Sequence, residues 1–446
     1  MKELSADYLV VGAGAMGMAF ADELLLRDSS VRIVMVDRHA KPGGHWNDAY
    51  RHVTLHQPAA FYGVNSEPLG PGGTYLASGA EVLAYYEKVL AKWEKSGRLQ
   101  FFPSCEYVGD DRFRSLMNPD LEHRVEVRKK VVDSTYMNVT VPSTRPPVYE
   151  VEAGVRLVTP NDLSKLSKLA DTPSDYVVIG AGKTGMDAVL FLLSQGCDPD
   201  QIRWIVPNDA WLIDRSTFDP SRFAQLGSQF KQIAEGDSLD GIMRALDEEA
   251  KLLRLDPDVW PTKYRCATVS QSELAQLRRI KQVIRKGRVS RIEPDLIVLA
   301  EGTVPTRPET VHVDCTADGL AKRPIRPIFE GRTITLQSVF VCQQVFSASL
   351  IAYVEHRLTD DVKKNALCRP IPHPESIPDY LVTGTRTSEN LAACVKAFPI
   401  WFLRSRLSIA NYFGLRVILR MAWKEGDSQS KAIAKAKELL PAEFPE

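Results

Sequence analysis

The chain has 446 residues, 44% of them apolar and 25% charged, which is enough apolar material for two cores rather than one. Its 56 basic and 56 acidic residues cancel, so bulk charge gives no reason to expect nucleic acid or an anionic surface as partner. Seven scattered cysteines without a Cys-x-x-Cys pair argue against a disulfide framework and against a thiol–disulfide oxidoreductase, and favour a reducing, cytoplasmic compartment. The N-terminus lacks the pattern of a secretory signal. No uninterrupted apolar run of about 18–20 residues predicts a membrane span.

In chain order, residues 7–11 (Asp-Tyr-Leu-Val-Val) read as a buried strand, 12–17 as a glycine-rich turn, 18–26 as a helix and 31–36 as a second strand. The same grammar returns with a strand at 176–179, a turn at 180–185, a helix at 186–193 and a strand at 202–206. The copies lie a domain's length apart, too far for a solenoid repeat, so a duplicated nucleotide-binding unit is expected. The Pro-rich 141–148 and the turn cluster 171–174 suit crossings between units. Residues 242–255 and 272–284 read as helices within a charged helical insertion at 216–286. A hairpin is expected over 289–299, a short strand over 311–313, and helices over 347–357 and the C-terminal stretch. The fold class is therefore α/β, with two Rossmann-like units and a helical insertion.

Gly12-Ala-Gly14-Ala15-Met16-Gly17 is a G-x-G-x-x-G turn between strand and helix. Gly12 permits the tight turn, Gly14 lets backbone approach a pyrophosphate, and Gly17 lets helix and sheet pack closely. The helix N-terminus then offers free N–H groups to phosphate, with Ala15 and Met16 in its first turn. Asp37, 20 residues after Gly17 and followed by Arg38, stands where a carboxylate accepts from ribose hydroxyls. Gly43-Gly44-His45-Trp46 follows, and then His56 and Gln57. The last two are candidates to touch a cofactor ring or poise a substrate, the alternative being ordinary loop residues. In the second motif, Gly180, Gly182 and Gly185 repeat the turn. Lys183 and Thr184 add a charge and a hydroxyl at the helix start. Val206-Pro207-Asn208 carries no acid at the following strand's end, and Arg203 and Arg215 are near in sequence, a combination that leans towards a 2′-phosphate.

These two motifs, with Asp37 and Gly43-Gly44-His45-Trp46, resemble the flavin-containing monooxygenase and Baeyer–Villiger monooxygenase superfamily. The resemblance is specific at residues 7–46 and 176–190. It implies FAD on 1–150 and 288–446, forming one discontinuous domain, and NADPH, with NADH the other option, on 172–287. It further implies hydride transfer to the flavin, oxygen activation as a flavin (hydro)peroxide, and oxygenation of a small organic substrate. Under it, His56 and Gln57 are the catalytic candidates, and the isoalloxazine approaches Gly44, His45 and Trp46. The helix entry at Gln343 and Gln344 lies near the pyrimidine, where a helix N-terminus stabilises the reduced anion. No metal is required. The chain departs from the family between the two motifs, where 148–160 lacks the expected histidine, and at 313–319, which stands in for a late Ala-Thr-Gly. A flavin reductase or dehydrogenase without a stable oxygen adduct, and a non-catalytic FAD-binding redox sensor, therefore stay open. So does oligomeric state, a homodimer included.

Three side readings complete the survey. Trp260 and Tyr264 either line a pocket or pack in a core. Cys315 reads as a small buried residue. The aromatic, arginine-bearing stretch 398–423 reads as core-facing helices rather than a membrane-surface segment.

Overall fold

The computed structural model describes residues 2–166, 175–219, 227–317, 321–408, 411 and 428–440. The turn cluster at 171–174 and most of the stretch 409–427 lie outside the described residues.

The first unit is built on strand Lys2–Val11, paired in parallel with Ile33–Val36 on one side and Glu122–Asp133 on the other. Leu99–Phe102 and Thr333–Thr335 extend the parallel sheet outwards, and Phe329–Glu330 closes one edge antiparallel. Parallel strands are covered on their faces. Here helix Ala15–Arg27 buries Met18, Phe20 and Leu24 in the largest core, where they meet Val345, Leu350 and Ile351 of helix Gln344–Arg357. The first strand begins five residues earlier than its apolar run suggests, because Lys2–Ala6 pairs with His123–Val127 and only alternate residues turn inward.

The second unit is a five-stranded parallel sheet in the order Gln282–Ile284, Ile202–Ile205, Tyr176–Ile179, Val311–Asp314, Arg156–Val158. Helix Lys183–Ser194 covers one face through Met186, Val189 and Leu192. The antiparallel strands Val289–Ile292, Leu296–Leu299 and Gly302–Pro305 back the other through Ile292 and Ile297.

Two expectations are corrected. Residue 287 does not end the second unit, since the hairpin backs its sheet and Val311–Asp314 lies within it, so the chain returns to the first unit only after Cys315. The insertion is not all helical. A three-stranded sheet, Leu252–Leu253, Ala210–Asp214, Lys263–Val269, carries helix Leu239–Glu248 against Trp211 and Tyr264. The helix expected over 242–255 stops at Glu248, and Ala250 turns the chain with φ +51°. The helix expected over 272–284 is Gln271–Leu277, after which Gln282–Ile284 joins the parallel sheet. Trp260 and Tyr264 are packing residues. Trp260 meets Trp211 edge-on at 4.9 Å, and Tyr264 meets Tyr380 edge-on at 5.0 Å.

Among the described residues no helix is long and apolar enough to cross a membrane. Trp401 and Phe402 are core residues. Arg406 donates to the carbonyls of Ala60, Tyr62 and Val64, so the start of the C-terminal stretch is fastened to the first unit.

Candidate functional site

Both glycine turns are enforced by sterics. Gly12 has φ +98°, and a Cβ on Gly17 would stand 2.1 Å from the Gly12 carbonyl oxygen. Gly180 has φ +115°, and a Cβ on Gly185 would stand 2.0 Å from the Gly180 oxygen. Gly14 and Gly182 differ from these. Each caps its helix in extended backbone, at φ −73° and −76°. A Cβ on Gly14 would meet only the Gly44 Cα at 3.7 Å, and one on Gly182 would meet nothing within 4 Å. Packing therefore does not require glycine at either position, and both turns leave open space beside a helix N-terminus. Ala15 and Met16 lie in the first helical turn beside Gly14, and Thr184 lies in the corresponding turn beside Gly182.

Asp37 directly follows the second strand and is buried. One carboxylate oxygen accepts the Ala13 N–H at 2.6 Å, and the other accepts the His39 N–H at 2.8 Å. Arg38 is exposed next to it. The segment Gly44–Asp48 forms one short helical turn. Gly44 faces Gly14 so closely that a Cβ on it would come within 2.8 Å of the Gly14 Cα. His45 is accessible to solvent, and Trp46 is buried with its Nε1 donating to Tyr62 Oη at 2.7 Å.

The loop beyond Trp46 crosses to the second unit. Tyr50 Oη donates to Asp187 Oδ2 at 2.6 Å, and Asp187 also pairs with Lys183 at the head of the second glycine helix. His52 stacks on Phe191 with ring centres 4.2 Å apart. Lys183, Asp187 and Phe191 thus make one helix stripe, four residues apart, that receives the loop. Burial, together with the nearby Lys183 charge, lowers the pKa of His52 to about 4. Burial, Lys183 and Arg215 do the same to His56, also to about 4. Both rings are neutral at physiological pH, and His56 Nδ1 is buried without a partner among the described residues. Gln57 lies half-buried beside it. The side-chain oxygens of Gln343 and Gln344, at the start of helix Gln344–Arg357, are buried and without a partner among the described residues.

The arginines fall elsewhere than spacing suggests. Arg203 pairs with Asp175 at 2.9 Å, at the edge of the sheet opposite the glycine turn. Arg215 is buried between units, held by Glu273 at 2.8 Å and the His56 carbonyl at 2.9 Å. The residues at the carboxyl edge are Asp209, one place beyond Asn208, and Arg285, which follows the neighbouring strand and pairs with Asp209 at 2.8 Å. Asn208 and Asp209 line a small pocket with Ala181 and Val206. Cys315 is buried, its thiol pushed well above the usual range by burial, and its carbonyl presses on Gly180. No cluster of metal-ligating side chains occurs among the described residues.

Residues 10–66 match the model of a family described as an NAD(P)-binding Rossmann-like domain. Uncharacterized proteins of Mycobacterium tuberculosis and Mycobacterium bovis are 48% identical over 397 residues, which is 85% of this chain and 73% of theirs. The chain belongs to their family. In solved structures, the family fold is similar to the open form of cyclohexanone monooxygenase, with 12% identity, 88% of this chain and 98% of that one covered, and a TM-score of 0.54. It is also similar to polycyclic ketone monooxygenase from Thermothelomyces thermophila, with 12% identity, 97% and 90% coverage, and a TM-score of 0.51. The resemblance read from the glycine motifs is thus borne out in the fold, that of two-unit flavoprotein monooxygenases.

Proposed function

We propose that this member of the family is an FAD- and NADPH-dependent monooxygenase acting on a small organic substrate, with oxygen as co-substrate. The observation that carries the reading is the joint between the units. The loop running on from Gly44–Trp46 rests on the helix opened by the second glycine turn, through Tyr50–Asp187 and His52–Phe191. That contact sets the loop after the first glycine turn against the helix of the second, an adjacency consistent with hydride transfer between two bound cofactors.

The residues fit FAD. Gly44 is held against Gly14 too closely for a side chain of its own, the space on the Gly14 side is open to a pyrophosphate, and Asp37 keeps acceptor capacity for ribose hydroxyls. The orphaned oxygens of Gln343 and Gln344 suit the N–H edge of a flavin pyrimidine. When bound, the flavin supplies hydride acceptance and oxygen chemistry. The chain's own side chains hold and shield. His56, neutral and donor-capable, is the group offered to the reacting end, with Gln57 beside it. Lys183, now on Asp187, is the cation within reach of a pyrophosphate on the second turn. Arg285, which spans Asp209 and Asp256, is the cation at this edge and takes the part expected of Arg215 towards a 2′-phosphate.

Replacing Arg285 by alanine removes that cation and leaves Asp209 bare. The expected result is a rise of about tenfold in KM for NADPH with little change for NADH, about 1.4 kcal/mol for one charge-assisted contact. Steady-state kinetics with both nucleotides measures it, and equal effects on the two would show that Arg285 serves no 2′-phosphate.

The whole reading is tested by anaerobic mixing of the purified protein with NADPH and then with oxygenated buffer. Bleaching, followed by a transient at shorter wavelength than oxidised flavin, is the expected course. Bleaching with direct return of the oxidised spectrum, with and without a panel of candidate substrates, would favour a reductase. A protein that carries flavin but is bleached by neither NADPH nor NADH would leave the sensor reading in place.

A further inference from the structure

His39 stands two residues after the ribose acid, and its ring faces a carboxylate at each end. Nδ1 lies 2.9 Å from Asp37 Oδ1, and Nε2 lies 2.9 Å from Asp48 Oδ2. A neutral imidazole has one N–H and one lone pair, so one of these contacts would set lone pair against lone pair. Only the imidazolium donates to both. The two acids belong to different parts of the site. Asp37 directly follows the second strand and takes the Ala13 N–H of the glycine turn, while Asp48 closes the short helix whose first residue, Gly44, backs onto Gly14. One side chain therefore ties the ribose acid to the segment that lines the pyrophosphate cradle.

We infer that protonated His39 is a positioning residue that makes FAD affinity depend on pH, by holding the Gly44–Asp48 segment against the glycine turn only while its ring is charged. This rests on the proposed use of that cradle for FAD. Burial opposes the charge on His39, but its hydrogen bonds to Asp48 and Asp37 outweigh burial and hold its pKa above the ordinary histidine value. His45, on the same short helix as Asp48, is a further titratable group close enough to feel it. The sign follows from the raised value. The clamp is complete below about pH 6.5 and is lost as pH rises through the higher pKa of the folded protein. By linkage, whatever factor the clamp adds to FAD affinity, FAD returns as a further rise in the His39 pKa.

The test is FAD rebinding to the deflavinated full-length chain, followed by flavin fluorescence from pH 6 to pH 9. The wild-type dissociation constant is expected to weaken by about tenfold across that range, equivalent to about one unit of linked pKa shift. His39→Gln, which can donate to only one carboxylate, should bind weakly at every pH with a flat profile. Asp48→Asn, which keeps the shape and loses the charge, should flatten the profile as well. A flat wild-type profile, or a His39→Gln protein that keeps the wild-type slope, overturns the inference. If the chain binds no FAD at any pH, the flavin reading is what fails. The clamp is then decided by imidazole nitrogen NMR across the pH range: a His39 ring that holds both protons to higher pH than a free histidine, and loses that advantage in Asp48→Asn, sustains it, and a ring that titrates at or below the ordinary histidine value overturns it.

Discussion

Gly14→Ala is expected to fold as the wild type does and to purify without FAD. The two halves of that result come from different parts of the geometry. At φ −73° and ψ 179° alanine is at ease, and its methyl would meet the Gly44 Cα at an ordinary 3.7 Å. Alanine at a helix entry changes stability by no more than about 1 kcal/mol. A pyrophosphate, by contrast, has to lie against the N–H groups of this turn, and a methyl there holds it off. Losing that contact is expected to weaken FAD by at least about a hundredfold, about 2.7 kcal/mol. Flavin content per chain, read beside the circular dichroism melt, measures both halves. A Gly14→Ala protein that keeps stoichiometric FAD would remove the first turn from the cofactor site. The neighbouring Gly17 makes a poor probe for the same purpose, since a Cβ 2.1 Å from the Gly12 oxygen would confuse loss of cofactor with loss of fold.

Gly182→Ala is the matching experiment on the second turn, and it should separate the cofactors. A Cβ there meets nothing within 4 Å, and the residue is extended at φ −76°. The variant should stay folded and yellow, because the first unit is untouched. Its reduction by NADPH should slow about a hundredfold at low nucleotide concentration, by the same displacement of a pyrophosphate from backbone N–H groups. Reduction by dithionite should be unchanged, which separates a nucleotide-binding defect from a damaged flavin. Wild-type reduction by NADPH in this variant would mean that the second turn holds no nucleotide, and the sensor reading would then gain ground.

What could be read from the chain alone divides along a physical line. Both glycine turns were legible because the constraint is local: Gly12 against Gly17, and Gly180 against Gly185, each within one turn and one helix. The helical reading of 272–284 failed because Leu274, Leu277, Ile280 and Ile284 fall three or four apart, a spacing that a short helix followed by a loop and a buried parallel strand reproduces by accident. The arginine at the carboxyl edge was overlooked for a related reason. Nearness in sequence does not say which edge of a sheet a side chain reaches, so Arg203 and Arg215 stood out while Arg285, just after the neighbouring strand, did not. The His39 clamp was missed because Asp48 gains meaning only once the short helix carries it back to the ribose acid. The pair Lys183 and Asp187, four apart at a helix start, was visible in principle, but its third member, Tyr50, arrives from the other unit.

The return of the chain to its first sheet governs how the molecule is made. Helix Ala15–Arg27 packs against the late helix Gln344–Arg357, and loop carbonyls at 60–64 are bonded by Arg406. The strands of the parallel sheet between Arg156 and Asp314 are all synthesised before either partner exists. At a ribosomal pace of about 5–20 residues per second, the early helix waits on the order of half a minute with Phe20 and Leu24 uncovered. The later-born unit is thus complete first and the earlier-born unit last. A stop between residues 315 and 344 leaves a complete second sheet joined to a first unit that still lacks helix Gln344–Arg357, a product with exposed apolar surface rather than a working half.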